Sequence, residues 1–93
     1  MKVYAWNADK NAQLIRERSI SFEEIVVNIQ QGNEVDVLEH PNPGRYPGQK
    51  ISLVVVDDYV FLVPFIETGN EIFLKTIIPS RKATRQYLGD SND

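Results

Sequence analysis

The side chains of this sequence that could do chemistry are basic or aromatic, with one imidazole at His40. Histidine is the usual general acid or base near neutral pH. Metal-free RNA cleavage needs this mixture, because a base takes the 2′-hydroxyl proton, a cation stabilises the phosphate and an acid protonates the leaving oxygen. Aromatic rings hold unstacked bases. The candidates are Lys10, Arg16, Arg18, His40, Tyr46, Lys50, Arg81, Lys82, Arg85 and Tyr87. The alternative is a set of surface residues that never form one site.

Other kinds of site are disfavoured by the residue types present. The chain has one histidine and no cysteine, and its carboxylates are scattered, so no metal-ligand spacing is found. Gly44 and Gly48 do not have the spacing of a phosphate-binding loop. We therefore expect neither a metal nor a cofactor. A lone histidine in a loop is more often an ordinary surface residue, so the role of His40 stays open.

Length and composition predict one folded domain over residues 1–93, with 42% apolar residues. The net charge of −3 argues against a general nucleic-acid coat, which needs a strongly basic surface. Residues 72–89 nevertheless contain four basic side chains and no acidic one. No signal peptide opens the sequence, and its longest apolar run is too short to span a bilayer, so we predict a cytoplasmic protein.

The first third of the chain predicts a short strand at 1–6 and two helices. Asn7 is a good helix cap before residues 8–18, where Ala8, Ala12 and Ile15 fall on one face. Ser21 and Glu24 form a capping box, and apolar residues then recur at helical spacing up to Gly32. The apolar faces of both helices must cover a sheet.

The rest of the chain predicts four antiparallel strands in chain order, at 34–39, 50–56, 59–65 and 72–78. Asp57 and Asp58 make a tight hairpin between the second and third of these strands, and residues 39–49, with three prolines and two glycines, form a long loop. The fold class is therefore α+β, with two N-terminal helices on one face of the sheet. The predicted core consists of Phe22, Ile25, Ile29, Leu53, Val55, Leu62, Ile72, Leu74 and Ile78.

Pro79 should end the last strand, and Ser80 should cap a short C-terminal helix that stops at Gly89. Arg81 and Lys82 in its first turn oppose the helix dipole, at a cost of roughly 0.3–1 kcal/mol each. Two readings remain open. The free N–H groups and the guanidinium hold an anion, or the two cations pair with carboxylates on a neighbouring strand, which these residues alone slightly favour.

Two blocks of the sequence match the pattern of one protein family. The first block runs from Trp6 to Glu24 and includes Lys10 and the Ser-Phe-Glu-Glu stretch. The second block, from Ile77 to Thr84, reads Ile-Ile-Pro-Ser-Arg-Lys-Ala-Thr. With these blocks the chain resembles the BrnT family, toxins of type II toxin–antitoxin modules. Between the two blocks the match is one of strand order.

The resemblance implies a RelE-like fold and an RNA-cleaving activity that inhibits translation. It also implies that a cognate antitoxin, a small DNA-binding protein, neutralises the toxin. The toxin would then contact the operon DNA only through the antitoxin. By position, Lys10, Arg81 and Lys82 match functional or motif residues of the family, and Lys50 stands for an arginine that opens a strand. Arg18 stands where the family has a histidine.

Two hypotheses follow. The first is a metal-independent endoribonuclease in which Lys10 and Arg81 bind the scissile phosphate and His40 is the acid or base. RNA would then be bound by Arg16, Arg18, Lys50, Lys75, Lys82, Arg85 and Tyr87. The second is a non-catalytic toxin-like module that sequesters a protein or RNA partner, which the net acidity and the missing family residues favour.

Overall fold

Each helix in residues 2–89, the part of the chain that the computed structural model describes, begins at a side chain that caps it. The Asn7 side-chain oxygen accepts a hydrogen bond from the N–H of Lys10 at 2.9 Å. The Ser21 hydroxyl accepts the N–H of Glu24 at 3.1 Å, and the Ser80 hydroxyl accepts the N–H of Ala83 at 3.0 Å. All three predicted caps are confirmed, because a cap is decided by residues close in sequence.

These helices and the strands between them form an α+β fold. In chain order the elements are β1 Val3–Trp6, α1 Ala8–Arg18, α2 Phe22–Gln30, β2 Glu34–Glu39, β3 Gln49–Val56, β4 Tyr59–Thr68, β5 Glu71–Leu74, β6 Ile78–Pro79 and α3 Arg81–Leu88. No helix within residues 2–89 is long and apolar enough to cross a membrane.

The sheet has the strand order β1-β5-β4-β3-β2, with β6 paired to β4. The antiparallel meander from β2 to β5 is as predicted. The prediction of a purely antiparallel, four-stranded sheet is wrong, because β1 adds to β5 in parallel, with Val3 opposite Glu71 and Trp6 opposite Leu74. Alternation along a strand reveals which side chains share a face, but not which strand lies alongside.

The last predicted strand, 72–78, is interrupted by a bulge opposite Pro64. Phe65 pairs with Leu74 and Leu62 pairs with Ile78, so three steps along β4 face four steps along the other segment. Lys75 donates its N–H to the Pro64 carbonyl at 2.8 Å, but proline has no N–H with which to return the bond. The ladder is therefore broken at this point.

The extra residue reverses which face the following side chains occupy. Ile77 is fully buried, whereas Ile78 is 39% exposed. The prediction that Ile78 belongs to the core is therefore wrong, and Ile77 takes its place. The prediction that Pro79 ends the strand holds, although Pro79 still pairs with Phe61.

The sheet carries α1 and α2 on one face and α3 on the other. The larger core joins both N-terminal helices to alternate residues of β3, including Val54 and Val56. The smaller core joins Ala83 of α3 to Leu53 and Val60. Of the predicted core, Phe22, Ile25, Leu53 and Leu74 are buried, and Ile29, Val55, Leu62 and Ile72 are half-buried. Phe22 and Leu74, whose exposure would have contradicted the layout, are 0% and 1% exposed.

The apolar face predicted for α1 is wrong, because Ala8, Ala12 and Ile15 are exposed and the helix buries Asn11 and Leu14 instead. Asn11 accepts the N–H of Phe22 at 2.8 Å and donates to Glu23 at 2.7 Å. The hydrogen bond from Asn11 lowers the pKa of the Glu23 carboxyl below its ordinary value. A buried amide with both ends bonded fixes α1 against the start of α2.

Candidate nucleic-acid interface

The outward face of α3 is basic. Arg81, Lys82 and Arg85 are exposed, and no acidic residue stands in the first turn of the helix. Residues four apart in a helix are neighbours on one face, so Arg81 and Arg85 lie side by side. Together with Lys82 they form what we call the α3 cation surface.

The inward face of α3 fixes that surface on the sheet. Ala83 is buried in the smaller core, and the Thr84 hydroxyl accepts the N–H of Val60 at 2.8 Å while donating to the Ser80 carbonyl at 2.7 Å. The Tyr87 hydroxyl donates to a carboxylate oxygen of Asp36 at 2.6 Å. With these three anchors, the helix holds its cations towards solvent.

Tyr87 was predicted to contact RNA, but its ring packs against the sheet and its hydroxyl is engaged by Asp36. The hydrogen bond to Asp36 raises the pKa of the Tyr87 phenol above its ordinary value, and partial burial and the Asp36 charge add to the shift. Because the folded state favours the neutral phenol, this bond stabilises the fold below the unfolded pKa of about 10. That stability is lost as the pH rises through the folded pKa.

We therefore expect the absorbance titration of tyrosinate to differ between the wild type and Tyr87→Phe by one group with a midpoint above about 10. Asp36→Ala should move that midpoint back towards the ordinary value, since it removes the acceptor. A group in the difference curve that ionises at or below pH 10 would contradict the bond between α3 and β2.

Two adjoining cavities open beside the α3 cation surface. The first, of about 510 Å³, is lined by Asp58, Tyr59, Arg81, Thr84, Arg85 and Leu88. The second, of about 480 Å³, is lined by Arg81, Lys82, Arg85 and Gln86. Volumes in this range suit small ligands or one unit of a polymer.

The cations of the first helical turn are not neutralised by the sheet. Within residues 2–89 an ion pair joins Lys2 to Glu67, whereas the side chains of Arg81 and Lys82 have no hydrogen-bond or ion-pair partner. The prediction that these two cations pair with carboxylates on a neighbouring strand is therefore wrong. An unpaired cation pair at a helix start favours the anion-holding alternative.

His40 lies in the loop after β2, and contacts within this loop hold its side chain. Its Nδ1 accepts the N–H of Asn42 at 3.1 Å, and its ring lies 4.3 Å from that of Tyr46. Arg45 lies 5.7 Å from the centre of the Tyr46 ring. With Nδ1 engaged in the loop, Nε2 is the nitrogen left for chemistry.

The structure does not bring together the three predicted catalytic residues, Lys10, His40 and Arg81. The row Trp6, Leu74, Phe65, Lys50 and Glu39 crosses the whole sheet. Its two ends are about 19 Å apart, since each strand spacing is about 4.8 Å. Lys10 follows one end of this row and His40 the other, while Arg81 belongs to the helix on the opposite face from α1.

The remaining predicted RNA contacts are spread over the surface. Arg16 is exposed on α1, and Arg18 donates to the Ile77 carbonyl in the bulge. Lys50 stands opposite Glu39 in the sheet, and Lys75 lies 5.5 Å from the centre of the Phe73 ring. Of the predicted set, the structure assembles Arg81, Lys82 and Arg85.

Sequence reasoning identified Asp58 only as a turn residue and missed that it lines the first cavity. The turn itself carries a signal. Asp57 and Asp58 both have positive φ, of 51° and 61°, a conformation for which glycine or asparagine is the usual choice.

No group of three or more histidine, cysteine, aspartate or glutamate side chains that could hold a metal occurs in the described ranges. Comparison of the chain with protein-family models, curated proteins and solved structures found no match.

Proposed function

We propose that this protein is a toxin-like binding module that holds single-stranded RNA on the α3 cation surface. The observation that carries the proposal is the exposed set of Arg81, Lys82 and Arg85, of which Arg81 and Lys82 have no partner within residues 2–89. Guanidinium and ammonium groups bind phosphate oxygens with charge-assisted hydrogen bonds. The partner is therefore an anion with more than one phosphate.

The uneven distribution of charge supports a local strand contact rather than a general coat. The net charge of −3 disfavours general attraction of a polyanion, while the exposed Arg81, Lys82 and Arg85 stand together on α3. The cavities beside the same cations offer space for an unstacked base next to its phosphate.

The biological setting that we propose is a type II toxin–antitoxin module, by the resemblance to BrnT. The order of elements, with two helices before a meander and a third helix after it, is the order expected of a RelE-like fold. In that setting the cognate antitoxin, a small DNA-binding protein, covers the α3 cation surface. Operon DNA is then contacted only through the antitoxin.

A metal-independent endoribonuclease is the second candidate, and one observation favours it. The first cavity combines the Asp58 carboxylate with two guanidiniums, a set that can accept a 2′-hydroxyl proton and stabilise a phosphate. His40 and Lys10 do not line this cavity, so this alternative assigns them no role.

One experiment separates these functions. Fluorescence anisotropy with a labelled single-stranded RNA measures binding at low salt, and a gel of the same mixture with EDTA added measures cleavage. Binding with intact RNA supports the module, and binding with metal-independent cleavage supports the ribonuclease. RNA that neither binds nor is cut at low salt contradicts both.

A further inference from the structure

We infer that the cavity between Asp58 and α3 selects a guanine base in single-stranded RNA. The inference rests on the proposed RNA binding and adds which nucleotide the site prefers. It starts from the polar groups that line the cavity, because these decide which ligand edges can be paired.

Few of those groups are available to a ligand. The Thr84 hydroxyl is used in both directions, by the N–H of Val60 and by the Ser80 carbonyl. Asp58 has no hydrogen-bond or ion-pair partner among residues 2–89. The cavity therefore offers the unpaired Asp58 carboxylate and the Arg81 guanidinium in one lining, with Tyr59 and Leu88, 42% exposed, as further walls.

A ligand that satisfies this arrangement carries an anionic group at one end and paired N–H donors at the other. A phosphate suits the Arg81 guanidinium. A carboxylate has two acceptor oxygens, and it takes two parallel bonds from the adjacent N1–H and N2–H groups of guanine. Uracil presents one such donor, and adenine and cytosine each present an amino group beside an acceptor. Guanine is therefore the base that pairs both oxygens of Asp58.

The backbone of Asp58 is held in place by the strands on either side of it. Asp58 stands in a two-residue turn between β3 and β4 at a φ of 61°, so its backbone is fixed by both strands. The Asp58 backbone in this turn and the α3 backbone, which is anchored to the same sheet, are therefore held in a fixed relation to each other. Such preorganisation favours discrimination between bases.

The test compares two labelled RNAs of about ten nucleotides, one of uridine alone and one with a single central guanosine. We expect the wild type to bind the guanosine-containing RNA roughly tenfold more tightly, as for a bidentate base contact. Asp58→Asn should abolish this preference while still binding the uridine RNA, because asparagine has one acceptor oxygen. Arg81→Ala should weaken both RNAs by the same factor.

Asp57→Asn is the matched control, since it makes the same change at the neighbouring turn position, which does not line the cavity. Asparagine tolerates positive φ, and circular dichroism verifies that both variants fold. The inference is overturned if the wild type binds both RNAs equally, if Asp58→Asn keeps the preference, or if Asp57→Asn loses it as well. RNA that fails to bind at all overturns the proposed function and this inference together.

Discussion

Replacing Phe22 by alanine is expected to lower the free energy of unfolding by about 3–5 kcal/mol, the usual cost of emptying a buried phenylalanine site. Phe22 is fully buried, and its ring stacks on that of Trp6 with centroids 5.7 Å apart. Its backbone N–H also donates to the Asn11 side-chain oxygen, and this bond joins α1 to α2. The void left by the alanine therefore lies where α1 and α2 both meet the sheet. Urea unfolding followed by circular dichroism measures the change.

Val27→Ala is the control for this prediction, because Val27 belongs to the same helix and is 48% exposed. It should change the stability by only about 0.5 kcal/mol, as is usual for surface positions. If Phe22→Ala is no more destabilised than this control, Phe22 is not the centre of the core.

The double variant Arg81→Ala, Lys82→Ala is expected to bind single-stranded RNA roughly 10–100-fold more weakly at low salt, since two phosphate contacts are lost. The slope of log K against log salt should fall in magnitude by about 1.4, which is the contribution of two phosphates on a single strand. The fold should not suffer, because both cations oppose the dipole at the start of α3.

Lys10→Ala, Arg16→Ala is the matched double variant, since it removes the same charge from the helix on the other face of the sheet. It should leave the RNA affinity within a few-fold of the wild type. Equal weakening by the two double variants would mean that net charge, and not the α3 cation surface, determines binding.

The features that could be predicted from the sequence are those decided by neighbouring residues. Asn7, Ser21 and Ser80 cap helices because each lies three residues from the N–H that it accepts. The part of the meander from β3 to β5 followed from short turns between apolar runs. The α3 cation surface belongs to the same class, since helical spacing alone places Arg81 beside Arg85.

The features that could not be predicted depend on partners distant in sequence. The bulge that buries Ile77 in place of Ile78 exists because Pro64, eleven positions before Lys75, stands opposite it in the sheet. Asn11 is buried because it accepts the N–H of Phe22 at the start of another helix.

The same reason explains why the predicted catalytic set failed to converge. Lys10 follows β1 and His40 follows β2, and the pairing of β1 with β5 places these strands at opposite edges of the sheet. Asp58 enters the first cavity because α3 returns to the turn where it stands. No local sequence pattern predicts the separation of Lys10 from His40 or the position of Asp58 beside α3.

Titration of ¹⁵N-labelled protein with single-stranded RNA, followed by amide chemical shifts, tests the proposed interface most directly. We predict that the largest shifts lie in α3, Arg81–Leu88, and at Asp57 and Asp58, while α1 and the His40 loop remain unchanged. Shifts centred on Lys10 or on His40 and Tyr46, with α3 unperturbed, would contradict the assignment of RNA binding to the α3 cation surface.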